Sequence, residues 1–73
     1  MSRFEPFQVE QADIDQTIAN ARKIAQKEKL NVLFVLESVT AEASERFLDS
    51  RSREDAYIFA ACKEALDQIR DTH

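Results

Sequence analysis

The pattern of apolar and polar positions predicts a first amphipathic helix. From Ile14 onward, apolar residues recur at intervals of three and four, the spacing that lines one face of a helix. Asp13 precedes Gln16 by three residues, as in a capping box. We therefore expect a helix over residues 12–28. Its apolar stripe consists of Ile14, Ile18, Ala21, Ile24 and Ala25.

The most apolar stretch of the chain, NVLFVLES at residues 31–38, permits either a strand or a helix. A buried strand needs two neighbouring strands, and only residues 3–9 are available, where Pro6 restricts pairing to a sheet edge. The helical interpretation continues into good helix formers and has Asn31 as its cap. It predicts a helix over residues 31–48. Its stripe consists of Val32, Leu36, Val39, Ala43 and Phe47, widened by Leu33 and Val35.

A third helix is predicted over residues 53–70. Ser52 is followed three residues later by Asp55, a spacing typical of helix starts. The apolar stripe that follows consists of Ile58, Cys62, Ala65 and Ile69, widened by Phe59 and Leu66.

These elements predict an all-α fold, a compact bundle of three helices. The single helical domain occupies residues 11–73, and an extended N-terminal arm occupies residues 1–10. The alternative is a small α+β fold with strands near 3–9 and 31–38. Tight hairpin turns and phosphate-binding loops need glycine, and the chain has none, which favours helices and excludes a nucleotide-binding loop.

Charge and cysteine usage limit the functional classes. The chain has 14 acidic and 10 basic residues, a net charge of −4, which disfavours direct nucleic-acid binding. Cys62 and His73 are the only cysteine and histidine, so neither a disulfide nor a zinc site with the usual ligands can form. We expect no metal or other cofactor, and a cytoplasmic location where a lone thiol stays reduced. No apolar run approaches the roughly 18 residues of a membrane span, and we expect no signal peptide.

No residue is predicted to be catalytic. Cys62 lies in the middle of a predicted helix without a neighbouring base, which indicates a packing residue rather than a nucleophile. Glu42 and Glu45, like Glu64 and Asp67, are three residues apart, so each pair is expected on a solvated helix face. A non-enzymatic protein is expected.

The N-terminal arm has the composition of a protein-binding anchor. Arg3, Phe4 and Phe7 surround Pro6, and arginine and aromatic residues are enriched at interface hot spots. The alternative is that Phe4 and Phe7 cover the end of the chain's own bundle.

Three further contact residues are predicted toward the C-terminus. Arg51 and Arg53 would provide charges at the rim of an interface, and Tyr57 lies off the apolar stripe, as a partner contact or at the margin of the core. Phe34 and Val35 cannot both face the same core from one helix. The second helix therefore has an apolar surplus for the arm, a second copy or a partner to cover.

In size, acidic charge, lack of a catalytic motif and possession of a dockable arm, the chain resembles small acidic phage-encoded regulators that bind and inhibit host RNA polymerase. The resemblance lies in overall character rather than in a motif. It implies a protein partner, RNA polymerase, and a mechanism in which the bound protein blocks a polymerase surface used in transcription initiation.

Two other functions remain open at this point. The first is a DNA-binding transcriptional regulator, which would lose affinity steeply with salt. The second is a self-associating structural module with Phe34 and Val35 buried between copies. The sequence leaves a monomer and a homodimer equally open.

Overall fold

Three helices account for nearly all of the chain that the structure describes. The computed structural model describes residues 8–72. The helices are α1 (Gln11–Glu28), α2 (Val32–Ser50) and α3 (Arg53–Thr72). The predicted three-helix fold is confirmed, and the predicted boundaries differ from the observed ones by no more than two residues.

The strand interpretation of residues 31–38 is wrong. Val32 begins α2, and residues 8–72 contain no strand. The predicted cap explains the helix start, because the Asn31 side-chain oxygen accepts a hydrogen bond from the Leu33 N–H at 2.8 Å. The other proposed strand, near 3–9, and most of the predicted arm at 1–10 lie outside the described residues.

The other two predicted helix starts have different outcomes. The Ser52 hydroxyl accepts from the Asp55 N–H at 3.0 Å, so this cap is confirmed. Asp13 is not a cap, because α1 begins earlier and has Glu10 at the cap position with no side-chain hydrogen bond. The carboxylate of Asp13 is instead available to α3, where Tyr57 donates to it.

Two helices end on a left-handed residue that is not glycine. Lys29 has φ 58° and ψ 48°, and Arg51 has φ 55° and ψ 25°. Their N–H groups donate to the carbonyls of Ala25 and Phe47, as in helix ends that usually carry glycine. In a chain without glycine, lysine and arginine adopt this conformation at a cost of about 1 kcal/mol each.

The core lies where α1 packs on the α2–α3 hairpin. Leu36 and Ala65 are 0% exposed, and α2 and α3 share the largest of the three helix interfaces. Val35 is also buried, at 4% exposed, whereas Phe34 is 55% exposed. The prediction that Val35 is buried between two copies of the chain is therefore wrong, because Val35 belongs to the core of its own chain. The central cluster comprises Ile14, Ala21, Ala25, Val35, Leu36, Ala65, Leu66 and Ile69.

Helix α1 begins beside the middle of α3 rather than at its end. Gln11 in its first turn exchanges hydrogen bonds with Gln68, while Asp13 reaches Tyr57. Tyr57 and Gln68 are eleven residues apart (68 − 57), about 16 Å along the helix. The start of α1 therefore contacts α3 both near its beginning, at Tyr57, and near its end, at Gln68.

One residue of the predicted stripe of α3 is not buried. Cys62, Ala65 and Ile69 are buried as predicted, but Ile58 on the same face is 47% exposed. The small surface pocket that Ile58 lines is formed by residues of α2 and α3 only, with none from α1. The core face of the hairpin is therefore open there.

We expect Lys29→Gly to stabilise the protein by about 0.5–1 kcal/mol, because glycine adopts the left-handed conformation without a steric penalty. Lys27→Gly is the matched control and should destabilise by about 1 kcal/mol, since Lys27 lies within α1. Urea unfolding monitored by circular dichroism measures both changes. A destabilised Lys29→Gly variant would contradict the assigned backbone conformation.

Candidate protein-binding surface

The open end of the α2–α3 hairpin contains a small surface pocket, here called the hairpin pocket. Its cavity volume is about 90 Å³. Helix α2 contributes four residues and α3 contributes two, so the pocket lies between these helices where α1 no longer covers them. The lining residues are Val39, Glu42, Ala43, Arg46, Asp55 and Ile58.

A second pocket, here called the central pocket, lies next to the first. Its cavity volume is about 240 Å³, and Val39 lines both pockets. Unlike the hairpin pocket, the central pocket has residues from all three helices, including the exposed Ile24 of α1. The lining residues are Thr17, Asn20, Ala21, Ile24, Leu36, Val39 and Cys62.

Cys62 forms part of the floor of the central pocket. Its side chain is buried and is not in a disulfide. Burial raises the pKa of the Cys62 thiol, because removal from water disfavours the thiolate. The protonated thiol acts as a small apolar surface at neutral pH, as the sequence indicated.

The hairpin pocket has an apolar interior and a charged rim. Ile58 and Ala43 supply apolar surface, while Glu42 and Arg46 form an exposed i,i+4 ion pair at 3.8 Å. Such a pair contributes little to stability, so a partner can reorganise it at small cost. The Asp55 carboxylate accepts a hydrogen bond from the Ser50 hydroxyl, which holds it at the α2–α3 connection.

The predicted rim residues Arg51 and Arg53 lie at this same end of the hairpin. Both are exposed. Arg51 is the left-handed residue that ends α2, and its Nε donates to the Leu48 carbonyl at 3.1 Å. Arg53 is the first residue of α3. The structure thus places two of the predicted contact residues near the exposed side chains of Leu48 and Ile58.

Tyr57 connects α3 to the start of α1. Its half-buried side chain donates from the hydroxyl to the Asp13 carboxylate and accepts from the Glu10 N–H at 3.2 Å. Of the two interpretations of Tyr57, these bonds favour the core margin. The remaining predicted contacts, Arg3, Phe4 and Phe7, lie outside the described residues.

Sequence reasoning missed Ile58 and Arg46 as surface-site residues. The helical period placed Ile58 on the same face of α3 as the core residues, and the structure has it on that face. The exposure of Ile58 depends on where α1 begins along α3, which leaves no signal in the local sequence. Arg46 carries no distinguishing pattern beyond its i,i+4 spacing from Glu42.

Comparison of the chain with protein-family models, curated proteins and solved structures gave no match. Within residues 8–72, no three histidine, cysteine, aspartate or glutamate side chains are grouped so that they could hold a metal ion. None of the helices described is both long and apolar enough to cross a membrane.

The pKa of Tyr57 is raised above the ordinary value of 10.0, chiefly because its hydroxyl donates to the Asp13 carboxylate. Tyr57 is the only tyrosine, so the ultraviolet absorbance of tyrosinate measures it alone. We expect a titration midpoint above pH 10.0 and a downward shift in Asp13→Asn. Asp15→Asn, a change at a nearby exposed carboxylate, should leave the midpoint in place.

The same shift predicts a loss of stability at high pH. The folded protein holds the phenolic proton more tightly than the unfolded chain, so this stabilisation is complete below pH 10.0, the ordinary value. It disappears as the pH rises through the folded-state pKa. The difference in urea midpoint between wild type and Tyr57→Phe should therefore shrink above that pH. A constant difference would argue against the Tyr57–Asp13 bond.

Proposed function

We propose that this chain is a small non-enzymatic regulator that binds a protein partner and blocks one of the partner's surfaces. The binding surface is the hairpin pocket together with the exposed residues at the α2–α3 connection. The N-terminal residues Arg3, Phe4 and Phe7 contribute further anchors.

The exposure of Ile58 is the observation that supports this proposal most directly. Ile58 lies on the same face of α3 as the buried Cys62 and Ala65 but is 47% exposed, and the pocket that it lines has no residue from α1. An apolar side chain on a core face gains most when another surface covers it. Leu48, which is 57% exposed at the same end of the hairpin, adds to the apolar area available to a partner.

The charges around this surface suit a protein better than a nucleic acid. Arg46, Arg51 and Arg53 are interspersed with Glu42 and Asp55. A phosphate backbone favours an extended positive surface, whereas a mixed rim around an apolar centre is typical of protein interfaces. Direct nucleic-acid binding is accordingly not proposed.

The finer proposal follows from the resemblance to small acidic phage regulators. It names bacterial RNA polymerase as the partner, the cytoplasm as the location and transcription initiation as the step affected. Binding would occlude a polymerase surface that the initiation factor or promoter DNA uses. No chemical step on a substrate is required, because occupancy of the surface is itself the inhibitory event.

The test is the affinity of the purified chain for bacterial RNA polymerase, measured by surface plasmon resonance. We expect Ile58→Ser to weaken binding by about tenfold or more, in the range of an interface hot spot. Leu30→Ser is the matched control, because Leu30 is similarly exposed but lies at the opposite, α1–α2 connection. Equal losses for both variants, or no binding by the wild type, would contradict the proposal.

The N-terminal anchors and the arginine rim have separate expected effects. Phe4→Ala and Phe7→Ala should each weaken binding by more than about 1 kcal/mol. Arg51→Ala and Arg53→Ala should mainly slow association and reduce its dependence on salt. If the phenylalanine variants bind normally and melt at lower temperature, these side chains cover the chain's own bundle instead.

A further inference from the structure

The solvent side of α2 carries a strip of residues with coiled-coil spacing, here called the outer strip. Its members follow one another at intervals of four, three, four and three, the spacing of a helical seam. Each of the five is exposed. The strip consists of Phe34, Ser38, Ala41, Glu45 and Leu48.

Phe34 and Leu48 mark the two ends of the outer strip. They are 55% and 57% exposed, the highest values among the exposed large apolar residues described. They are fourteen residues apart (48 − 34), about 21 Å along the helix. Ala41, a small exposed residue, lies midway between them along the helix. Their exposure means that neither contributes much to the core, which is built on the opposite side of α2.

The charge around the outer strip is predominantly acidic. Glu37, Glu42 and Asp49 flank the strip, and Glu45 lies within it. Arg70 pairs with Glu37 at 3.2 Å and Arg46 pairs with Glu42 at 3.8 Å. No described residue forms an ion pair with Glu45, so its charge faces solvent without compensation from residues 8–72.

This charge distribution argues against a second copy of the chain as the occupant. In a parallel pairing of two α2 helices, Glu45 would face Glu45. In an antiparallel pairing centred on Ala41, Glu45 would face Glu37 of the other copy, since their positions sum to twice 41. The parallel arrangement brings like charges together, which costs binding energy. In the antiparallel arrangement the nearby Arg70 is already paired with Glu37, so neither arrangement supplies Glu45 with an unpaired cation.

The geometry points to an amphipathic helix with basic flanks, supplied by a protein partner, as the occupant of the outer strip. Its apolar residues would pack against Phe34, Ala41 and Leu48, and lysine or arginine beside its seam would neutralise Glu45. Helices commonly dock in this way, through apolar residues at spacings of three and four. This surface shares Leu48 with the binding surface proposed above, but Phe34, Ala41 and Glu45 belong to it alone, and it does not rest on the function proposed for the hairpin pocket.

The experiment uses two synthetic three-heptad peptides with the same leucine seam, one flanked by lysine and one by glutamate. Fluorescence anisotropy measures their binding to the full chain. We expect the lysine peptide to bind at least about tenfold tighter than the glutamate peptide, with a preference that falls as salt rises. The doubly substituted variant Phe34→Ser/Leu48→Ser should bind the lysine peptide at least about tenfold more weakly.

Further variants separate this proposal from its rivals. Glu45→Lys should weaken binding of the lysine peptide and strengthen binding of the glutamate peptide, while Leu30→Ser and Ile58→Ser should leave both unchanged. Circular dichroism establishes that each variant is folded. Equal affinity for the two peptides, no binding of the lysine peptide, or insensitivity to the Phe34 and Leu48 changes would overturn the proposal. So would a wild-type dimer in sedimentation that those two changes dissociate.

Discussion

The packing of Leu36 against small residues of the neighbouring helices is the contact on which the structure depends. Within residues 8–72, five of the eleven buried apolar residues are alanine, and small side chains at the interfaces let helices pack closely. Truncating a core leucine costs about 2–5 kcal/mol, whereas a chain of this length has a total stability of about 4–11 kcal/mol. With so thin a core, the position of α1 on the hairpin decides which apolar side chains are buried and which remain open.

Local sequence patterns predicted the three helices from their apolar stripes, but they also permitted a strand at residues 31–38, and the structure decided that alternative in favour of α2. They also identified the caps at Asn31 and Ser52, which act within a few residues. The lack of glycine correctly disfavoured a tight β-hairpin turn. Left-handed residues do occur, at Lys29 and Arg51, but they end helices. Asp13 was wrongly predicted as a helix cap. Its carboxylate instead binds the hydroxyl of Tyr57, which is distant in sequence, and such a contact cannot be predicted from local spacing.

The surface site could be predicted only in part. The helical period gives the direction in which Ile58 points, but exposure depends on where a neighbouring helix begins. The same limit applies to Phe34 and Val35, since the sequence indicated that one of the two must leave the core and packing decided which. Arg51 became part of a recognisable surface once the fold placed it near the open end of the hairpin.

Helix α1 is the element most easily detached from this fold. The interface between α2 and α3 exceeds either interface that α1 makes, and segments with fewer packed contacts open locally before the whole molecule unfolds. Amide protons of α1 would thus exchange with solvent ahead of those at the centre of the hairpin. Because Cys62 lines the central pocket together with residues of α1, the same excursion would admit reagents to the only thiol. The rate at which Cys62 reacts would then measure how often α1 departs.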